Sequence, residues 1–165
     1  MIKGQDIVIL ASLMGANDDA STYLEIGKRA KLSASEAHAA VRRLQESMLL
    51  NDDRKPVKRN VMEFLVHGLR YMFPFRESGL AMGMPTAYAA PIAAEEFAVS
   101  GLAPVWSTAD GKVYGKAYVP IYPTAPLAAA EDSELYDRLV LIDMLRGGRL
   151  RERKFAERKL QEVMS

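Results

Sequence analysis

The sequence predicts a mainly α fold of the α+β class, with helices at both ends of the chain and one small β-hairpin between them. Three observations carry this. Two hydroxyl-x-x-acid capping boxes, Thr22 to Glu25 and Ser33 to Glu36, open successive helices near the start of the chain. Apolar residues recur at helical spacing over residues 133–146 and again over 150–163. The clearest β signal, over residues 105–114, centres on Asp110-Gly111, a dipeptide suited to the positive φ angles of a type I′ turn.

Taken in order, the first helix covers about residues 5–14, where Ile7, Val8, Leu10, Ala11 and Met14 repeat at spacings of three and four. Gly15, Asn17 and the Asp18-Asp19 pair break it. The first capping box starts a short helix to about Lys31, and Leu32-Ser33 form a turn. The second capping box opens a longer helix to about Ser47, with Ala37, Ala40, Val41 and Leu44 on its apolar side. Asn60, followed by Glu63, reads as an Asx-type cap. In the helix it opens, Phe64, Leu65, Val66, Leu69, Tyr71 and Met72 leave few polar sides, which places it in a core or a dimer seam. Between Phe73 and Pro104, the residues Pro74, Gly79, Gly83, Pro85 and Pro91 are too frequent for long regular elements, and residues 93–98 give one short helix. The hairpin follows over residues 105–118. Tyr118 to Tyr122 would extend it, but Pro120 and Pro123 deny that segment central ladder positions. Gly147-Gly148 separates the last two helices, and the final one carries an apolar stripe of Leu150, Phe155, Leu160 and Val163.

The 165 residues are 49% hydrophobic and 26% charged, an ordinary globular composition that can bury a core. Mean hydropathy is −0.08, and no apolar run approaches the roughly 20 residues a spanning helix needs, so no membrane association is expected. The start of the chain lacks the basic lead and small-residue cleavage site of an export signal, so a cytoplasmic protein is expected. The absence of cysteine excludes disulfides, thiolate zinc sites, iron–sulfur clusters and cysteine nucleophiles. The net charge of +1 conceals a segmental pattern: −3 over residues 1–27, +5 over 28–59, zero over 60–73, −5 over 74–137 and +4 over 138–165. Two basic segments flank an acidic middle, which either makes a local anion-binding face or is neutralised within the fold.

Residues 26–50, from Ile26 through Gly27, Leu32, Ser33, Val41 and Leu44 to Met48-Leu49-Leu50, resemble the helix-turn-helix core of MarR-type winged-helix transcription regulators. With the preceding helix the resemblance covers about residues 5–50. It implies a winged-helix-like N-terminal module over residues 1–59 and an accessory region over 60–165, carrying the hairpin and the C-terminal helices, for dimerisation or signal sensing. The pattern of that family continues with a strand, a basic hairpin tip and a return strand. Here residues 51–59 lead into another helix, so the wing is expected to be missing or displaced, with the 105–118 hairpin as one place for it.

The resemblance implies duplex DNA as the partner, bound by a homodimer, with the helix opened by Ser33 as the reading element. Its groove-facing candidates are Ala34, Ser35, His38, Ala39 and Arg42. His38 and Arg42 lie one turn apart and can donate to guanine or phosphate, and Ser35 can read donor or acceptor edges. Lys28, Arg29, Lys31 and Arg43 become backbone contacts that position the helix, and Arg54, Lys55, Lys58 and Arg59 reach flanking phosphate. Set against this, most Lys and Arg residues are solvated surface charges, Glu36 at the helix start would repel phosphate, and Ala34 and Ala39 are poor readers. The alternative function is a protein-interaction module on a winged-helix scaffold, holding a protein partner in the manner of an antitoxin or adapter. The C-terminal basic run from Arg146 to Lys159 reads as a phosphate-contacting, dimerising or solvent-facing helix.

No enzyme is expected. His67 follows Glu63 by one helical turn but lacks a third ligand, and there is no Walker loop, dinucleotide glycine fingerprint or Gly-x-Ser-x-Gly elbow. No metal and no cofactor is therefore implied. Tyr71, Phe73, Phe75, Tyr88, Trp106, Tyr114, Tyr118 and Tyr122 either line an apolar effector pocket or belong to the core.

Overall fold

The computed structural model describes residues 1–15 and 22–165, so the expected break at Asn17, Asp18 and Asp19 lies outside the described residues. Helices α1 (Gly4–Leu13), α2 (Tyr23–Ala30) and α3 (Ala34–Glu46) come first, and both capping boxes form as expected: Glu25 N–H donates to Thr22 Oγ1 (3.2 Å) and Glu36 N–H to Ser33 Oγ (3.1 Å). Helices α4 (Lys58–His67) and α5 (Leu69–Met72) precede the strands β1 (Glu77–Pro85), β2 (Ala103–Ser107) and β3 (Val113–Tyr118), and α6 (Ala125–Glu131), α7 (Ser133–Gly147) and α8 (Leu150–Met164) complete the chain. The fold is mainly α with a small sheet, as the sequence predicts.

Two helices organise the interior. Ile7, Val8, Ile9, Leu10 and Ala11 of α1 are buried in succession, as are Leu139 to Met144 of α7, and a helix buried on all sides must be enclosed by others. α2 and α3 pack on α1, α6 and α8 pack on α7, and α1 meets α7. One hydrophobic cluster thus runs from Ile2 to Met164, joining residues 1–59 to the rest. The stripe on α8 is spent inside this cluster: Phe155, Ala156, Leu160 and Met164 are buried and Leu150 is exposed, so the chain itself covers the face that the sequence offered for dimerisation.

The sheet departs from expectation. β2 and β3 are strands, but they run parallel, with Ala103 opposite Gly115 and Val105 opposite Ala117, and do not form a hairpin. Both pair antiparallel with β1, closing a three-stranded barrel. The Asp110-Gly111 turn sits in a return loop, Thr108 to Lys112, that doubles back over β1. Glycine permits this approach: a Cβ on Gly83 would lie 2.0 Å from the Trp106 carbonyl oxygen, and one on Gly111 would lie 2.3 Å from Gly83 Cα. The frequent Pro and Gly residues from Pro74 to Pro91 suggested irregular chain, yet β1 runs nine residues through Gly79 and Gly83, and Gly83 makes its close approach to β2 possible.

Smaller differences have local causes. α4 begins before Asn60, with Val57 at its N-cap; Val57 N–H donates to Leu49 O (2.9 Å), and Asn60 Nδ2 donates to Met48 O (2.8 Å) in place of capping. The helix breaks at Gly68 and buries only Val61, Leu65 and Leu69, so Tyr71 and Met72 are surface residues. Residues 93–98 form no α-helix; short 3-10 turns occupy Ala87–Ala89 and Pro91–Ala93. α6 was not foreseen, and β3 stops at Tyr118 ahead of Pro120. No helix among the described residues is long and apolar enough to cross a membrane.

A buried polar knot ties the barrel to α7. Asp143 Oδ2 accepts from Thr86 Oγ1 and Trp106 Nε1, each at 2.8 Å, and Asp143 Oδ1 accepts from Arg146 Nη1 at 3.0 Å. Arg146 Nε also donates to Phe73 O (3.0 Å), holding the approach to β1. Burial pushes the Asp143 carboxyl up, opposed by the Arg146 charge and by the hydrogen bonds it accepts.

Two half-buried phenols flank this knot. Burial pushes the hydroxyls of Tyr118 and Tyr136 up to about 12, and Tyr136 donates to Pro85 O at 2.5 Å. Their folded-state values exceed the unfolded one, so the native state keeps protons that the unfolded chain has released. Stability is full below about pH 10 and declines as pH rises through about 12. Melting temperature followed between those limits, with tyrosinate absorbance at 295 nm as the titration signal, checks this; phenols that all titrate near 10 with no loss of stability would contradict it.

Candidate nucleic-acid interface

The α2-turn-α3 unit is built tightly. Lys31 takes a left-handed conformation (φ 58°) at the end of α2, and Leu32 N–H donates to Gly27 O at 2.8 Å. Gly27 is required here, because a Cβ would fall 2.6 Å from the Leu32 carbonyl oxygen. Beyond the turn, Ala37, Ala40, Val41 and Leu44 face the core. Ser35, His38 and Arg42 are exposed on the opposite side, one stripe at helical spacing, with Ala34 and Ala39 half-buried at its margins. The capping box occupies Glu36: Ser33 N–H donates to Glu36 Oε2 (2.8 Å), and its hydrogen bonds with Ser33 hold the exposed carboxyl below its usual range.

A short hairpin occupies the position from which the wing was expected to be missing or displaced. Leu50 and Pro56 form an antiparallel bridge, and Asn51 N–H donates to Lys55 O at 2.9 Å. Its tip carries Asp52, Asp53, Arg54 and Lys55, with Arg54 in the left-handed region (φ 62°). The Arg54 guanidinium carbon lies 5.0 Å from the Tyr23 ring centroid, and that ring meets His38 edge-on with centroids 4.8 Å apart. Tyr23 therefore couples the hairpin tip to the exposed stripe of α3, through contacts of the cation–π and edge-to-face kinds. Sequence reasoning missed Tyr23; its one signal was an aromatic residue directly after the Thr22 cap. Lys58 and Arg59 are exposed on the first turn of α4, beside this hairpin.

The other expected contacts are placed elsewhere. Arg43 faces inward: its Nε and Nη2 donate to Asp6 Oδ2 and Oδ1 at 2.8 and 2.7 Å, and Asp6 is fully buried. The Asp6 hydrogen bond raises the Arg43 pKa further, so this residue is a structural partner of α1 and not a phosphate contact. Lys31 pairs with Glu131 of α6. Lys28 and Arg29 border a depression shared with Glu131, Asp132 and Glu134, an acidic setting unsuited to phosphate. The basic run on α8 is partly tied down as well, since Arg158 pairs with Glu96 (2.6 Å) and Arg151 donates to Glu96 O (2.8 Å) and stacks over Phe97.

Glu63 and His67 are exposed on α4, and among the described residues no group of three or more His, Asp or Glu side chains is arranged to hold a metal ion. Trp106 is core, while Phe75, Tyr88 and Tyr118 border a mostly polar hollow with Glu77, Lys116 and Arg149. Of the aromatics that belong either to an effector pocket or to the core, Trp106 is thus core, and Phe75, Tyr88 and Tyr118 come together at one hollow. No family model, no curated protein and no solved structure matches the chain.

Proposed function

We propose that the chain is a sequence-specific duplex-DNA-binding regulator that acts as a homodimer and reads the major groove with the exposed stripe of α3. Ser35, His38 and Arg42 meet base edges. Arg54 and Lys55 at the hairpin tip, with Lys58 and Arg59 behind them, meet flanking phosphate. The single observation that carries this reading is the Arg54–Tyr23–His38 stack, which sets Arg54, on a hairpin tip that carries two acids and two bases, against an exposed helix following a tight turn. Arg43, Lys31, Lys28 and Arg29 drop out of the contact set.

Four cations on phosphate imply a slope of log affinity against log salt of roughly −3 to −4. Fluorescence anisotropy of a labelled duplex across a salt series measures it, and a flat response would remove DNA from the account. The partner-binding alternative is favoured by one feature, the outer face of β1 and β3. There Leu80, Met82 and Tyr114 stay 54%, 45% and 55% exposed, with Met82 directly opposite Tyr114. A flat salt response together with a stoichiometric protein partner lost on Met82→Asp would establish that reading instead.

A further inference from the structure

We propose that the cleft between α6 and the Thr108–Lys112 return loop binds a small aliphatic carboxylic acid, whose carboxylate takes the place of Glu131 on Lys31. The cleft encloses about 850 Å³, within the range of small-molecule sites. Its apolar walls are Met84 and Pro85 at the end of β1, Val113 at the start of β3, and Pro126 and Leu127 of α6. No aromatic ring borders it, which suits a flexible aliphatic body better than a planar one. The proline residues and the Gly83–Gly111 backbone contact fix opposite walls, so the space is formed in advance of any ligand. Leu127, 59% exposed, borders this space together with the exposed Ala130 and Glu131, while Ala125, Pro126, Ala128 and Ala129 of the same helix are buried.

Charge selects the head group. Asp110 and Lys112 both border the cleft on its loop wall with formal charges that sum to zero, and the ion pair at the cleft is Lys31 with Glu131. The two members differ in exposure: the Lys31 side chain is 33% exposed and that of Glu131 68%. A ligand carboxylate that replaces Glu131 therefore keeps Lys31, the less exposed member, paired, while Glu131 returns to water at little cost. An amine would meet Lys31 as a like charge, and an alcohol would leave the existing pair undisturbed.

Occupancy reaches the α2–α3 turn through α6. Thr124 Oγ1 donates to Ala30 O (2.9 Å) just ahead of α6, and Glu131 at its far end holds Lys31, the left-handed residue of the turn. An acid seated in the cleft exchanges one of these two restraints for a contact with itself. The consequence for DNA rests on the function proposed above, whereas binding of the acid does not.

Calorimetric titration of the full chain with octanoate, 1-octanol and octylamine, which share one apolar body, tests the assignment without DNA present. Octanoate is expected to bind roughly tenfold more tightly than octylamine. Glu131→Gln is expected to tighten octanoate roughly two- to fivefold by removing the competitor, with octanol unchanged. Leu127→Asp, at an exposed position that leaves the far-ultraviolet circular dichroism intact, is expected to abolish octanoate binding. Equal binding of the three head groups, or no effect of Glu131→Gln, would overturn the role of Lys31. Absence of binding by all three would overturn the site while leaving the DNA reading untouched. Octanoate is expected to change the affinity for a labelled duplex severalfold in the wild type and not in Leu127→Asp; octanoate bound with duplex affinity unchanged would overturn the coupling alone.

Discussion

Asp143→Ala is expected to destabilise the protein by about 3–5 kcal/mol, among the largest effects of any single substitution. The carboxylate is buried and accepts from Thr86, Trp106 and Arg146, so its removal orphans donors on β2, on the approach to the 3-10 turns and on α7 at once. The larger part of the cost is Arg146, 7% exposed, which loses its counter-charge and keeps only hydrogen bonds to backbone carbonyls of Phe73 and Pro74. Replacing the pair together, as Asp143→Leu with Arg146→Met, is expected to recover part of the loss but not all of it, because Thr86 and Trp106 still lack their acceptor. Trp106 is the single tryptophan and lies inside the knot, so its fluorescence reports urea unfolding directly. A loss below about 1 kcal/mol for Asp143→Ala would mean that water or a rearranged Arg146 replaces the carboxylate.

Arg43→Ala is expected to cost on the order of 3 kcal/mol of stability, for the same physical reason at a second ion pair with a buried carboxylate, between α1 and α3. Asp6 is fully buried within the first turn of α1, where Lys3 N–H also donates to it at 2.8 Å, and Arg43 supplies both of its side-chain hydrogen bonds. Without Arg43 the carboxylate is left buried with one backbone donor. A phosphate contact behaves differently: its loss lowers DNA affinity and the salt slope and leaves stability nearly unchanged. Chemical denaturation and the anisotropy salt series, run on the same variant, separate the two. A stable Arg43→Ala protein with a reduced salt slope would return Arg43 to the DNA-facing set.

Much of the helical framework was legible because its signals are local. The Thr22–Glu25 and Ser33–Glu36 boxes act over four residues, and the helical ends of α7 and α8 are marked by Gly147-Gly148. The sheet was not legible for the opposite reason. Asp110-Gly111 is a good hairpin turn in isolation, but the course of β2 and β3 is decided by their shared pairing with β1, where Gly83 allows a backbone approach of a kind no short-range rule encodes. The site shows the same division. Ser35, His38 and Arg42 follow from helical spacing and are exposed together. Arg43 is one residue further on and turns inward, because Asp6, 37 residues away, needs a buried partner. Lys31 is drawn off by Glu131, 100 residues away, and Tyr23 enters the site only through the hairpin that brings Arg54 over its ring.

Selection of bound fragments from a randomised duplex pool at near-physiological salt, with the wild type and the His38→Ala, Arg42→Ala double variant in parallel, tests the reading role of α3 most directly. Each good bidentate base contact contributes about 1–3 kcal/mol of discrimination, so the wild type is expected to enrich a motif, palindromic if two copies bind, and the double variant to lose it while retaining most of its nonspecific affinity. Enrichment of the same motif by both proteins, or of none by either, would contradict a reading head on this helix.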